Sequence, residues 1–180
     1  MNLPDGFRYV RSFLTSAQHD ALLADVRAMS YVHDRFRGQE LKRASACCGF
    51  TYTAAGRKLH TAPPFPPFLR SVAEDALAYC PDTEIDQCIS TRYGVGAGIG
   101  WHSDAKQFGG TIMGVSLAGS ARLQFRPNGS QERTHELVVA PGSLYVMQGP
   151  ARWDYQHRVL PVKTERYSLT FRQVIVQERG

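Results

Sequence analysis

A histidine and an aspartate stand two positions apart in the segment GIGWHSDA, which spans residues 98–105. Side chains alternate between the two faces of a β-strand, so a strand here would point His102 and Asp104 the same way and Ser103 the other way. A second histidine, His157, follows in the segment ARWDYQHRV, with 52 residues between it and Asp104. Two imidazoles and one carboxylate are thus available to one metal ion, if the fold brings the two segments together.

This donor set favours a reactive metal over a structural one. Two neutral imidazoles and a carboxylate occupy one face of an octahedral metal ion, and they leave three positions open for other ligands. That pattern is typical of mononuclear non-haem Fe(II) oxygenases, whereas a structural zinc site completes its shell with four protein ligands. An HxD pair alone is common, and the chain has other histidines such as His33 and His60. A surface role for the pair therefore stays open on this evidence.

The segment RYSLTFR, residues 166–172, carries an arginine at each end. In a strand, Arg166 and Arg172 share one face with two hydroxyl side chains, while the other face is apolar and suits a core. Arginines on an inner face need an anion, because an unpaired buried charge is costly. Six residues span roughly 20 Å along a strand, so two inward-leaning guanidinium forks could bind opposite ends of a small dicarboxylic acid. The alternative is a solvent-exposed face with two ordinary surface arginines.

Two helices and a run of strands must position these residues. A helix is predicted over residues 17–29, capped by Thr15 or Ser16, and a second is predicted over residues 68–80. The charged segment 31–45 has no clean period, which predicts a loop or short edge strands. Further along the chain, short β-type runs alternate with turn signals such as PNGS and APGS. This pattern predicts two N-terminal helices packed on a C-terminal antiparallel β-sandwich.

Together, GIGWHSD, the distant histidine in GPARWDYQH, and RYSLTFR resemble the motifs of the AlkB-like Fe(II)/2-oxoglutarate dioxygenases. The resemblance covers about residues 45–175. It implies an α+β fold class, a double-stranded β-helix (jelly-roll) with the N-terminal helices packed on one sheet. One domain is expected over residues 1–180, with a helical and lid-forming part about 1–84 and a jelly-roll core about 85–176.

The resemblance also implies the cofactors Fe(II), 2-oxoglutarate and O₂. The residues that it makes catalytic iron ligands are His102, Asp104 and His157. The residues that it assigns to 2-oxoglutarate are Tyr93, Thr91, Arg166, Ser168 and Arg172. Arg166 would pair with the distal carboxylate, and Arg172 would lie near the carboxylate that binds iron. The family often has asparagine where this chain has Thr91 and Ser168, and both replacements keep a hydrogen-bonding group.

The implied activity is oxidative demethylation of N-alkylated nucleobases in DNA or RNA, with release of succinate, CO₂ and formaldehyde. Nucleobase-repairing relatives carry an acidic residue two positions after the metal-binding aspartate, where this chain has Lys106. A lysine cannot accept a hydrogen bond from a base amino group. A 2-oxoglutarate-dependent hydroxylase or demethylase of a protein side chain or small molecule is therefore the alternative. A non-catalytic metal-binding jelly-roll is the alternative of another class.

Candidate substrate residues come from the charged segment 31–45 and from the neighbourhood of the metal motif. In the segment, aromatic side chains could stack on a base and basic ones could meet phosphates, or the segment is simply a solvated loop. Trp153 and Tyr155 share the face of His157 if their segment is a strand, and they either wall the pocket or belong to the core. The candidates are Tyr31, His33, Phe36, Trp101, Lys106, Trp153 and Tyr155.

Composition gives weaker indications about partners and location. A net charge of +5 and a pI of about 9.2 weakly favour a polyanion, so single-stranded or damaged nucleic acid is the expected partner beside 2-oxoglutarate. The apolar stretches are too short to span a bilayer, and the N-terminus lacks the features of a signal peptide. The cysteines, Cys47, Cys48, Cys80 and Cys88, show neither zinc spacing nor disulfide density. We therefore expect a cytoplasmic monomer with reduced thiols and no membrane contact.

Overall fold

Thirteen strands and three helices form the described part of the chain, which comprises residues 3–36, 38–53 and 58–175 of a computed structural model. The side chains of Asp34 and Phe36 lie outside that part. The helices are α1 (Ser16–Arg27), α2 (Pro67–Leu77) and α3 (Gly149–Trp153). The strands are β1 (Phe7–Val10), β2 (Val32–Phe36), β3 (Gln39–Cys48), β4 (Phe50–Thr53), β5 (Lys58–Thr61), β6 (Gln87–Tyr93), β7 (Ile99–His102), β8 (Phe108–Ala118), β9 (Ala121–Pro127), β10 (His135–Val139), β11 (Ser143–Met147), β12 (Tyr155–Val159) and β13 (Arg166–Val174).

The strands build two facing antiparallel sheets and a separate hairpin. A seven-stranded sheet, the major sheet, has the order β1-β11-β8-β13-β6-β3-β2. A four-stranded sheet, the minor sheet, has the order β10-β9-β12-β7, and β4 pairs with β5 alone. Two facing antiparallel sheets of this kind form a jelly-roll, so the predicted fold class is confirmed. The division into an N-terminal part and a core stays a prediction, and β1, β2 and β3 from the first part are strands of the major sheet.

Both predicted N-terminal helices are present and cover the outer face of the major sheet. Thr15 caps α1 through a capping box with Gln18, which satisfies two backbone groups that a helix start leaves unpaired. On α1 the buried Val26 faces the sheet, and on α2 the buried Leu69 does the same. Both side chains are fully buried in one core with the outward apolar residues of the major sheet. The apolar face of RYSLTFR belongs to this core, as its alternation predicted.

The segment 31–45 differs from its prediction. It forms the hairpin of β2 and β3, and only β2 lies at an edge of the major sheet. Strand β3 is ten residues long and pairs with β6 from Arg43 to Cys48. The charged side chains of β3 do not alternate as a strand pattern would, so the sequence did not predict it. Backbone pairing with β2 on one side and β6 on the other forms the strand regardless of this pattern.

The described cysteines are all free, with Cys48, Cys80 and Cys88 buried and Cys47 half-buried. None of the helices in the described ranges is both long and apolar enough to cross a membrane.

Candidate active site

A cavity of about 180 Å³ lies between the two sheets and is lined by all eight residues predicted to bind the metal or the cosubstrate. The three predicted metal ligands lie on β7, on β12 and in the loop after β7. The predicted cosubstrate residues lie on the neighbouring strands β6 and β13. The sandwich therefore brings together side chains that are far apart in the sequence. They are Thr91, Tyr93, His102, Asp104, His157, Arg166, Ser168 and Arg172.

The two histidines are held side by side by strand pairing. His102 on β7 is the direct register partner of His157 on β12, and their ring centroids are 4.3 Å apart. The Nδ1 atom of His102 lies 2.8 Å from the Gly100 carbonyl oxygen. Because a carbonyl oxygen only accepts, Nδ1 carries the hydrogen, and Nε2 of His102 keeps its lone pair, as a metal-binding imidazole requires.

Asp104 reaches the same cavity from a loop, because β7 ends at His102. The expectation that Asp104 continues the strand was therefore wrong, although its side chain does point into the cavity. Its carboxylate lies 3.7 Å from Nε2 of His157 and 2.5 Å from Nη2 of Arg172. Within the described ranges, no three His, Cys, Asp or Glu side chains lie in positions that would hold a metal ion. The Asp104 carboxylate pairs with Arg172 instead.

Neighbouring charges keep Asp104 ionised, and burial keeps His157 neutral. Burial by itself raises the pKa of the Asp104 carboxyl, but the Arg172 guanidinium and the two histidines outweigh burial and hold that pKa below its usual range. Burial, followed by the neighbouring His102, lowers the pKa of His157 to about 3. A carboxylate and a neutral imidazole are the protonation states that bind a metal ion.

Arg152 fixes the loop that carries Asp104. Its side chain is 3 % exposed, and its guanidinium stacks on the Trp153 ring with 4.0 Å to the ring centroid. Its nitrogens donate to four backbone carbonyls of one short stretch, namely those of Asp104, Ala105, Phe108 and Gly109. The buried Arg152 guanidinium thus holds the conformation of the loop backbone that carries the Asp104 side chain.

Arg152→Met is expected to weaken divalent metal binding about tenfold to a hundredfold, which is typical of residues that orient metal ligands. The substitution keeps much of the side-chain volume but leaves four carbonyls without their donor. Calorimetric titration with Mn²⁺ as a redox-stable ion measures the effect. Arg70→Met removes an exposed arginine from α2 and is the control. Unchanged Mn²⁺ affinity in a folded Arg152→Met variant would contradict this role.

Arg166 presents an unpaired cationic atom to the cavity. The residue is 2 % exposed, and its Nε donates to the Ser116 hydroxyl over 3.0 Å. Its guanidinium carbon lies 5.1 Å from the Tyr93 ring centroid. Among the described residues, two buried side-chain nitrogens have no hydrogen-bond partner, and these are Nη1 of Arg166 and Nε of Arg172. A buried donor without a partner costs free energy, so the cavity fits a bound carboxylate.

A row of hydroxyl side chains crosses the floor of the cavity. Ser45, Thr91, Ser168 and Ser116 are successive register partners on β3, β6, β13 and β8. The row ends at Ser116, whose hydroxyl accepts the hydrogen bond from Nε of Arg166. Hydroxyls can donate to a carboxylate, so the row adds to the fit of the cavity to a small acid.

Tyr145 on β11 is a cavity residue that sequence reasoning missed. Its ring lies across Gly114 of β8, where a Cβ would overlap the ring. Burial raises the pKa of the Tyr145 phenol, and the nearby Arg166 partly offsets that effect. The only signal in the sequence is a glycine and a tyrosine on two strands, and their pairing is not visible without the fold. Arg43 also lines the cavity and donates to the Gly98 carbonyl oxygen over 3.1 Å.

Tyr31 and His33, two of the substrate candidates in segment 31–45, do not line this cavity. Tyr31 lies on the helix side of the major sheet, where its hydroxyl is 2.7 Å from the Ser90 hydroxyl and its ring packs on Tyr167. His33 lies on the edge strand β2, with Nδ1 2.9 Å from the Leu41 carbonyl oxygen. The side chain of Phe36 falls outside the described residues.

The other four candidates lie around the metal motif but in different places. Trp153 was expected on the strand of His157, but it is the last residue of helix α3 and is 44 % exposed. Tyr155 is half-buried, and its ring centroid is 5.7 Å from that of His135. Lys106 is exposed in the loop after Asp104. Trp101 lies on the outer side of the minor sheet, stacked with arginines and turned away from the cavity.

A second cavity, of about 460 Å³, opens beside the first and shares Asp104 with it. Trp153 and Tyr52 supply aromatic surface, and Lys106 and Asn128 supply polar groups. Tyr52 belongs to the β4–β5 hairpin, and its ring packs edge-on against Phe108. A substrate that approaches the metal position through this cavity would therefore meet two aromatic rings first.

Comparisons with known proteins agree with this geometry. The family model described as the 2OG-Fe(II) oxygenase superfamily matches residues 6–172. The Escherichia coli (strain K12) alpha-ketoglutarate-dependent dioxygenase AlkB is 32 % identical over 103 residues, which cover 52 % of this chain and 47 % of the relative. The mouse protein alkB homolog 7, mitochondrial, is 38 % identical over 60 residues, which cover 33 % of this chain and 27 % of the relative.

The solved structure of OsALKBH1 superimposes with a TM-score of 0.79 at 17 % identity, and the match covers 96 % of this chain and 99 % of that one. At that identity the likeness concerns the fold. The chain spans about half or less of the length of the two curated relatives. The family's description carries the expected cofactors, so Fe(II), 2-oxoglutarate and O₂ are confirmed. The chain belongs to the 2OG-Fe(II) oxygenase superfamily, and about half of it is similar to AlkB.

Proposed function

We propose that this chain oxidatively demethylates N-alkylated nucleobases of DNA or RNA, releasing succinate, CO₂ and formaldehyde. The observation that carries the proposal is one shared cavity. It holds two imidazoles and a carboxylate on one side and the unpaired Arg166 guanidinium on the other. The AlkB relative supports a nucleobase substrate by analogy.

The residues of the cavity divide the work between metal and cosubstrate. His102, Asp104 and His157 would hold Fe(II), which with 2-oxoglutarate and O₂ supplies the oxidation of an unreactive C–H bond. Arg166 would bind one carboxylate of 2-oxoglutarate, because its buried charge has no carboxylate partner in the described chain. Arg172 holds the Asp104 carboxylate and would stabilise negative charge next to the metal.

The second cavity supports a flat substrate with hydrogen-bond acceptors. Trp153 and Tyr52 offer ring faces to a base. Lys106 and the Asn128 side-chain amide line the same cavity. Lys106 can only donate, so it suits a ring carbonyl or a phosphate and does not suit an amino group. This departs from the acidic residue expected in nucleobase-repairing relatives, and it favours bases that present an oxygen at that edge.

A panel of methylated single-stranded oligonucleotides tests the proposal. The protein is incubated with Fe(II), ascorbate and 2-oxoglutarate, and formaldehyde and product bases are identified by mass spectrometry. We expect formaldehyde from at least one methylated base, and none from the Asp104→Ala variant. Steady conversion of 2-oxoglutarate to succinate without formaldehyde from any base would refute the proposal.

A hydroxylase or demethylase of a protein side chain or small molecule is the second candidate, and Lys106 is the observation that favours it. Such an enzyme would turn over a non-nucleic substrate with little dependence on salt. Membership of the oxygenase family argues against a non-catalytic metal-binding jelly-roll. A monomeric state and a cytoplasmic location stay predictions.

A further inference from the structure

The outer face of the minor sheet carries a set of arginines that the cavity does not use. On β9 and β12, inward residues such as Phe125 and His157 belong to the core and the cavity. The intervening side chains point outward. We call this outward surface the basic face, and it is formed by Trp101, Arg122, Gln124, Arg126, Glu136, Gln156 and Arg158.

Neutral partners hold two of these arginines in place. Arg126 and Arg158 have guanidinium carbons 4.6 and 4.5 Å from the Trp101 ring centroid. Nε of Arg126 donates to the Gln156 side-chain carbonyl, and Nε of Arg158 donates to that of Gln124. In residues 3–36, 38–53 and 58–175, neither arginine has a carboxylate within ion-pair distance. The two guanidinium groups are therefore held in place while their charges stay without a carboxylate partner, which suits the binding of an anion.

Arg122 and Glu136 carry the remaining charges of the basic face, which cancel, and Arg133 in the loop before β10 adds one positive charge. Glu136 is the one carboxylate among the residues of the basic face. Arg122 and Arg133 both form ion pairs with it, at 2.7 and 2.5 Å. Hydrogen bonds from Gln124 and Arg122 lower the pKa of Glu136 to about 2, so this carboxylate is ionised at neutral pH. Two arginines thus share one carboxylate, while Arg126 and Arg158 have none.

The basic face leads to the mouth of the active site. Strand β9 ends at Pro127, and the next residue, Asn128, lines the second cavity and donates to the Trp153 carbonyl oxygen. Trp101 directly precedes the metal-site residue His102 in the chain. A ligand strand lying along β9 would cover about 14 Å from Arg122 to Arg126, at roughly 3.4 Å per residue, before it approached that cavity.

We infer that the basic face binds the phosphate backbone of single-stranded nucleic acid and directs the strand toward the second cavity. This inference rests on the proposed function. Guanidiniums pair bidentately with phosphates, and two arginines without a carboxylate partner, stacked on the same Trp101 ring, fit a repeating anion. An acidic protein segment is the competing occupant, and the experiment separates the two.

The test compares oligonucleotide binding by two charge-matched double variants. Fluorescence anisotropy with a labelled single-stranded 15-mer is measured over a range of salt concentrations. R126Q/R158Q is expected to weaken binding about tenfold or more and to lower the slope of log K against log salt by about 1.4, at roughly 0.7 per phosphate contact. R11Q/R70Q removes the same charge from exposed positions outside the basic face and is expected to keep the wild-type slope. R126K/R158K keeps the charges and is expected to retain the slope, which guards against a folding defect in the glutamine variant.

Three results would overturn the inference: no oligonucleotide binding by the wild type, equal slopes for R126Q/R158Q and R11Q/R70Q, or competition by polyglutamate as effective as that by unlabelled oligonucleotide. Formaldehyde release by the wild type from a methylated nucleoside, which is too short to reach the basic face, tests the proposed function separately. Binding that follows the expected slopes, while neither the nucleoside nor the methylated oligonucleotide panel yields formaldehyde, would support the basic face and count against demethylation.

Discussion

Replacing Arg166 by leucine is expected to abolish measurable turnover of 2-oxoglutarate at ordinary cosubstrate concentrations. Arg166 is 2 % exposed, and its Nη1 has no partner in the described chain. Removing the cationic partner of a buried carboxylate typically costs about 3–5 kcal/mol, which corresponds to roughly a hundredfold to several thousandfold in affinity. We expect a rise of that size in the KM for 2-oxoglutarate, measured as succinate formed in the absence of a second substrate.

Thermal unfolding separates a binding defect from a folding defect in this variant. In the wild type with Mn²⁺, 2-oxoglutarate at 100 times its Kd adds about 2.7 kcal/mol to the free energy of unfolding, and Tm rises accordingly. Arg166→Leu should lose that shift while its Tm without cosubstrate stays near the wild-type value, because an unpaired buried nitrogen has been removed. Arg166→Lys should fall between the two, since lysine keeps the charge but lacks the fork. A full cosubstrate shift in Arg166→Leu would show that the acid binds elsewhere.

The cavity strand could be predicted because its pattern depends on local geometry alone. A period of two in RYSLTFR fixes which side chains point inward, whatever strand lies beside it. In the structure Arg166 and Arg172 line the cavity and Leu169 packs under the helices. Helix α1 was predictable for a similar reason, since Thr15 and Gln18 form its capping box from neighbouring residues.

The residues that sequence reasoning misplaced depend on partners that are distant in the chain or on a local break in the strand pattern. Trp153 continues a strand-like run in the sequence, but Gly149, with φ of +50°, and Pro150 start a short helix there. Tyr145 reaches the cavity because Gly114 of the adjacent strand has no side chain. Arg152 looks like a surface arginine until the loop after His102 folds around it.

His157→Ala is expected to lower divalent metal affinity by more than a hundredfold and to remove both succinate and formaldehyde formation. Outer residues that only orient ligands account for about tenfold to a hundredfold, so loss of a ligand itself should exceed that range. The fold should persist, because the cavity already satisfies Asp104 without a metal through its 2.5 Å contact with Arg172. The His102 ring also stays held by its hydrogen bond to the Gly100 carbonyl oxygen.

Mn²⁺ titration of His157→Ala beside His60→Ala makes this prediction decisive. His60 lies on the exposed hairpin strand β5, so its removal controls for the general loss of an imidazole and should leave Mn²⁺ affinity unchanged. Because His157 and His102 are register partners on adjacent strands, His102→Ala should reproduce the loss, and the double variant should add little to either single one. Near-native Mn²⁺ affinity in His157→Ala would mean that the metal does not bind between β7 and β12, and the assignment of the cavity as an iron site would fall with it.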